Sequence, residues 1–110
     1  MFLGYDVFPI RGQSGRDYNF HADPIDFSAP AEPAVFFVVR MLARLGRDPD
    51  TKLLYLGRGP DLASVVADRR RAYPEANMVF WLPAPVDALA PIQLDLSSFL
   101  PAAQQDPLVL

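Results

Sequence analysis

Two short stretches of the chain carry residues that are suited to holding an anion. Gly57-Arg58-Gly59 stands just before a predicted helix, where free backbone N–H groups and an arginine can cradle a phosphate. Arg69-Arg70-Arg71 ends that helix and could contact a nucleic-acid backbone. A tight turn would also explain the glycines, and basic residues at a helix C-terminus complement the helix dipole. Anion or nucleic-acid binding by Arg58, Arg69, Arg70 and Arg71 is therefore one candidate function.

The charge distribution bears on this candidate. The formal net charge is -3 and the pI is about 4.9, whereas nucleic-acid-binding domains are usually basic. Residues 40–71 hold eight basic and four acidic side chains, and the rest of the chain holds two basic and nine acidic ones. This distribution is compatible with a local anion site, and the acidic remainder argues against an extended nucleic-acid surface.

The composition excludes several kinds of catalytic site. The chain has no cysteine and a single histidine, His21, so disulfides, cysteine nucleophiles and Cys/His zinc sites are ruled out. We predict a structural role for His21. Carboxylates, hydroxyls and carbonyls remain as metal ligands, and these suit magnesium, manganese or calcium.

Strand and helix signals predict the element order β-β-β-β-α-β-α. The predicted strands are Phe2–Ile10, Asp17–His21, Ala34–Val39, Lys52–Leu56 and Asn77–Leu82, with a long loop over Met41–Thr51. One predicted helix starts at Pro60 and stops before Pro74, and a second covers Asp87–Leu100 with Asp87 as its cap. We therefore predict an α+β fold, in which a small central sheet of three core strands plus an N-terminal hairpin is flanked by helices.

The size of the chain predicts one domain over residues 1–110. Residues 1–33 form its hairpin and connector, residues 34–100 its core, and residues 101–110 an irregular tail that docks on the same chain or on a partner. The longest strongly apolar run, Ala34–Val39, is too short to span a membrane, so we expect no membrane association and a cytoplasmic location.

The order of motifs along the chain resembles the GIY-YIG endonuclease domain. The matching segments are Ala34-Val35-Phe36, Leu54-Tyr55-Leu56-Gly57 and Asp61-Leu62 at a helix start. Two further segments resemble small bacterial single-domain members: Arg11–Phe20, which is similar to their "G-x-SG-x-x-Y-x-F" lead-in, and Ile92–Leu96 followed by Leu100-Pro101, which is similar to their closing helix.

The resemblance also marks catalytic positions that this chain has changed. Phe36 stands at the place of the first-motif tyrosine and lacks its hydroxyl. Val65 stands at the place of the family's arginine, with Arg69 four residues later, and Gln93 replaces the single metal-binding glutamate. Tyr55 keeps the second-motif tyrosine. The asparagine found near the C-terminus of many members has no counterpart around residues 107–109.

These changes predict a catalytically inactive GIY-YIG-like domain that binds or regulates a protein partner or a second copy of itself. No metal or cofactor is then expected. Nucleic-acid binding is the first alternative. The second is a weak DNA endonuclease dependent on magnesium or manganese, which would require Tyr55, Arg69 and a carboxylate such as Asp95 to converge on one cleft.

Overall fold

Five strands and two helices build the fold, which we describe for residues 7–108 from a computed structural model. The strands are β1 (Val7–Arg11), β2 (Asp17–Pro24), β3 (Ala34–Arg44), β4 (Arg47–Gly59) and β5 (Met78–Pro83). The helices are α1 (Leu62–Arg70) and α2 (Val86–Leu96), and short 3-10 turns cover Ser97–Phe99 and Ala102–Gln104. The predicted α+β class and element order are confirmed. Residues 2–6 of the first predicted strand lie outside the described residues.

All five strands pair antiparallel in one curled sheet with the order β1-β2-β5-β3-β4. The N-terminal hairpin therefore joins the sheet through β2, in which His21 lies opposite Trp81 of β5. β3 is an inner strand, and β4 lies at an edge. The backbone groups on the outer side of β4 are therefore open to pairing with a further extended segment.

Both faces of the sheet are covered, which explains the continuous apolar run of β3. Every residue of Ala34–Val39 is fully buried. Val35, Phe37 and Val39 pack in a cluster with Leu89 and Leu96 of α2. Ala34, Phe36 and Val38 pack on the opposite face with Leu62 and Val66 of α1. Burying each of the larger side chains stabilises the fold by roughly 1.5–3 kcal/mol.

The predicted loop over Met41–Thr51 is wrong. β3 and β4 continue through this region and are joined by a two-residue turn, Leu45-Gly46, in which Gly46 takes a positive φ of 70°. Asp48-Pro49-Asp50 suggested a break in the chain, but an edge strand tolerates a proline because one side of it need not pair.

The helix starts follow two different rules. The Asp61 side chain caps α1 by accepting a hydrogen bond from the Ser64 N–H at 3.3 Å. Pro85 occupies the N-cap position of α2, so the predicted cap by Asp87 is wrong, and Asp87 lies in the first turn. α2 also ends earlier than predicted, at Leu96, where the Ser97 hydroxyl donates to the Leu94 carbonyl.

Within residues 7–108, no helix has the length and apolar character needed to cross a bilayer.

Candidate functional site

A carboxylate from the C-terminal tail lies at the centre of the candidate site. The Asp106 side chain accepts hydrogen bonds from the Tyr55 hydroxyl at 2.5 Å, the Arg58 backbone N–H at 2.9 Å and the Arg69 guanidinium at 2.9 Å. Only 13% of this side chain is exposed. Charge-assisted bonds of this kind are among the stronger hydrogen bonds in proteins. The three donors therefore form a site for a single anionic group.

Gln93 and Arg58 hold the backbone carbonyls of Asp106 and of the residue that follows it. Gln93 is fully buried, and its Nε2 donates to the Asp106 carbonyl at 2.7 Å. Its Oε1 accepts a hydrogen bond from Arg58 Nη1, and Arg58 Nη2 donates to the Pro107 carbonyl at 3.1 Å. Both ends of the Gln93 amide are thus used, and Gln93 links α2 to β4 and to the tail.

The tail itself pairs with the edge of β4. Leu56 and Gln105 form a parallel bridge, and the Asp106 N–H donates to the Leu56 carbonyl at 2.9 Å. Gln104 Nε2 donates to the Leu54 carbonyl at 3.1 Å. Of the two predicted docking modes, the structure shows residues 104–107 docked on their own chain.

Gly57 and Gly59 are needed for close packing at this site. A Cβ on Gly57 would lie 2.6 Å from Cζ of Phe36 and 3.0 Å from Oδ2 of Asp106, and a Cβ on Gly59 would lie 2.5 Å from Cγ1 of Val65. Both glycines belong to β4, so this stretch does not form the predicted tight turn. The intervening Arg58 N–H donates to the Asp106 carboxylate of the same chain.

The structure brings the four positions marked by the family resemblance into one neighbourhood. Phe36 is fully buried against Gly57, and Val65 packs against Gly59. Tyr55 and Gln93 bond to the carboxylate and the carbonyl of Asp106. Phe36, Tyr55 and Val65 also share the apolar cluster under α1.

The four predicted anion-binding arginines do not converge on one place. Arg58 and Arg69 both bind the tail, and the Arg69 guanidinium also lies 5.1 Å from the centre of the Tyr55 ring. Arg70 donates to the Ile25 carbonyl at 3.3 Å, and Arg71 is exposed. Of the four predicted arginines, Arg58 and Arg69 therefore belong to the site, and Arg70 and Arg71 do not.

Asp95, the carboxylate predicted for the nuclease alternative, has a different environment. It accepts hydrogen bonds of 2.7 Å from the Ser14 N–H, the Ser14 hydroxyl and the Tyr18 hydroxyl. The bonds from Ser14 and Tyr18 hold the pKa of Asp95 below its usual value. A Cβ on Gly12 would lie 2.2 Å from Oδ2 of Asp95. The glycine, serine and tyrosine of the lead-in motif thus attach α2 to the β1–β2 hairpin.

Asp106 takes the place beside Tyr55 and Arg69 that was predicted for Asp95, and it was not itself predicted. A lone acidic residue in a proline-containing tail carries no pattern of its own. Its one distinguishing feature is its position directly before residues 107–109, where the family resemblance predicts an asparagine.

The state of Tyr55 follows from its surroundings. Burial raises the pKa of its hydroxyl, and the hydrogen bond to Asp106 raises it further. The hydroxyl therefore stays protonated at neutral pH and acts as a donor to an anion. A group in this state does not accept a proton from water.

The residues of the site do not fit a divalent cation. Gln93 Oε1 is bound to the Arg58 guanidinium, and the Asp106 carboxylate is bound to Arg69, so the available oxygens lie against positive charges. Among residues 7–108, no group of three or more His, Asp or Glu side chains is placed to hold a metal ion.

No protein-family model, curated protein or solved structure matches the chain.

Proposed function

We propose that this chain is a non-catalytic binding domain on a GIY-YIG-like scaffold, and that it recognises an anionic group through Tyr55, Arg58 and Arg69. The observation that carries the proposal is the Asp106 carboxylate, which already receives three donors from these residues. A site that holds a carboxylate of its own chain has the geometry to hold a carboxylate or a similar anion from another molecule.

The arrangement of the changed family positions supports a non-catalytic role. Phe36 has no hydroxyl and is buried in the core, and Gln93 uses its amide to hold Arg58 and the Asp106 carbonyl. Tyr55 is a protonated donor. Phosphodiester hydrolysis needs an activated water and stabilisation of the developing charge, and these residues supply only the second.

A titration with inorganic phosphate tests the binding site directly. We expect phosphate to shift the amide resonance of Arg58 in the Asp106→Ala full-length chain, because that variant vacates the three donors. The shift should disappear when Arg69→Ala is added and persist when the neighbouring Arg70→Ala is added instead. A response that is the same with and without Arg69 would contradict the proposed site.

A nuclease assay tests the catalytic alternative. The convergence of Tyr55 and Arg69 on a carboxylate, Asp106, is the observation that favours a weak metal-dependent endonuclease as the second candidate. Under our proposal, supercoiled, linear and branched DNA remain intact in magnesium or manganese. Metal-dependent cleavage that is lost in both Tyr55→Phe and Asp106→Asn would establish the second candidate in its place.

A further inference from the structure

We infer that residues 104–107 are an intrachain ligand, and that the edge of β4 is a binding site for an extended acidic segment of a partner protein. The partner would bind by replacing the tail. This inference rests on the proposed function, because it uses the same anion site and specifies what kind of molecule carries the anion.

The tail is recognised first through its backbone. The Asp106 N–H donates to Leu56 of the edge strand, and the carbonyls of Asp106 and Pro107 accept from Gln93 and Arg58. An added strand at a sheet edge is a common way of binding a peptide, because main-chain hydrogen bonds supply affinity for many sequences. The edge of β4 therefore favours an extended peptide over a compact ligand.

Two side chains of the tail then define a register. Gln104 reaches the Leu54 carbonyl, and Asp106, two residues later, reaches Tyr55, Arg58 and Arg69. Gln104 ends the 3-10 turn, and these two side-chain contacts lie on either side of the parallel Leu56–Gln105 bridge, so they fix how a peptide parallel to β4 is aligned. A partner segment needs an acidic residue at the second of these two positions.

The tail is held by polar contacts, whereas the walls of its site belong to the core. None of residues 101–108 is buried. Tyr55 and Gln93, by contrast, are buried side chains of β4 and α2. Segments with few buried apolar groups open at lower free energy than the core around them. The tail can therefore leave while the sheet and helices remain folded.

A cleft beside residues 104–107 offers further contacts to a partner. The cleft has a volume of about 420 Å³ and borders Asp106 and Pro107. Its apolar wall includes Pro60, Val86 and Leu89. A tethered segment competes at an effective concentration that is typically of the order of millimolar, so a displacing peptide must gain affinity elsewhere. An apolar side chain that follows the acidic residue and enters this cleft would supply that gain.

Peptide binding to the full-length chain tests the inference. The probe is a fluorescent peptide with the sequence of residues 101–108, and the control peptide carries asparagine in place of its aspartate. Both peptides are titrated into the Asp106→Ala protein. We expect the dissociation constant of the probe to be about 10- to 100-fold lower than that of the control peptide, because the control peptide lacks the charged acceptor. The probe should bind wild-type protein more weakly, because the native tail competes.

Paired variants locate the bound peptide. In the Asp106→Ala background, Arg69→Ala should abolish probe binding, while Arg70→Ala should leave it unchanged. If the Asp106→Ala variant does not fold, Gln104→Ala takes its place as the background. Gln104→Ala removes the hydrogen bond to the Leu54 carbonyl and leaves the three anion donors unchanged. A single-stranded oligonucleotide should fail to displace the probe at equal concentration, and displacement by it would overturn the choice of a peptide ligand.

Hydrogen exchange of the wild-type chain gives an independent readout. The amide of Asp106 should exchange faster than the amides of β3, and at a rate that does not depend on global stability. Exchange of Asp106 only through global unfolding would overturn the inference.

The two binding experiments separate the inference from the proposed function. If the probe fails to bind while phosphate still shifts the Arg58 amide resonance, the inference is rejected and the proposed function stands. If both responses are lost, both are rejected.

Discussion

At the scale of single residues, Gln93 and Asp106 show how polar groups become part of a small apolar core. Gln93 is fully buried, and its amide has a partner at each end. A buried polar group with all its bonds made costs little, whereas the same group left unpaired costs about 1–3 kcal/mol. Among the described residues, no buried side-chain nitrogen or oxygen lacks a partner.

Replacing Gln93 tests its role as a link between α2 and the tail. Gln93→Leu keeps a similar volume but leaves the Asp106 carbonyl and one side of the Arg58 guanidinium without their partner. We expect the free energy of unfolding to fall by about 1–3 kcal/mol in urea denaturation. Leu94→Ala is the matched control, because Leu94 is 50% exposed on the same helix and should change stability by less than about 0.5 kcal/mol. Equal losses in both variants would contradict the role of the Gln93 amide.

Removing the Tyr55 hydroxyl should have an effect that depends on pH. The pKa of Tyr55 is raised in the folded chain, so its contribution to stability is fully present below its ordinary value of 10.0 and is lost as the pH rises above it. We expect Tyr55→Phe to be less stable than the wild type by about 1–2 kcal/mol at pH 7, and the difference to shrink above pH 10. Unfolding free energies between pH 7 and pH 11 measure this. A difference that stays constant over that range would count against the bond to Asp106.

At the scale of elements, the β1–β2 turn and α2 form a second polar junction, separate from the site. Asp95 of α2 binds Ser14 and Tyr18 of the hairpin, and the Gln13 N–H donates to the Asp95 carbonyl at 2.8 Å. Because Gln93 lies two residues before Asp95, this junction also helps to set the position of α2 relative to the tail.

The Asp95 junction should weaken in acid. The pKa of Asp95 is lowered in the folded chain, so its contribution to stability is present above its ordinary value of 3.8 and is lost as the pH falls below it. We expect the urea midpoint of the wild type to fall more steeply than that of Asp95→Asn as the pH is lowered from 6 to 3. Parallel curves for the two proteins would show that the junction does not depend on the charge of Asp95.

At the scale of the whole molecule, the site exists because several elements meet at one sheet edge. α1 and α2 cover opposite faces of the sheet, and each contributes one side chain, Arg69 and Gln93, to the tail at the edge of β4. The tail bridges these two layers and also covers part of an edge strand, which would otherwise offer unpaired backbone groups to other chains. Its release therefore changes both the charge and the pairing capacity of this edge.

Local sequence determined most of the elements, because their signals lie within a few residues. The run Ala34–Val39 predicted a strand, and Pro60 predicted a helix start, which the structure places two residues later at Leu62 with Asp61 as its cap. The prediction over Met41–Thr51 was wrong because Asp48-Pro49-Asp50 resembles a loop, while pairing with β3 extends the strand through it.

Only the tertiary structure decided the composition of the site. Tyr55 and Arg69 are separated from Asp106 by 51 and 37 residues along the chain, and no local pattern relates them. The family resemblance marked Tyr55 and Gln93, but it could not say which carboxylate would face them. Asp95 belongs to α2 and binds the hairpin, whereas Asp106 belongs to the tail and binds Tyr55 and Arg69. The choice depended on which donors the folded sheet leaves at its edge, and that is a property of the assembled elements.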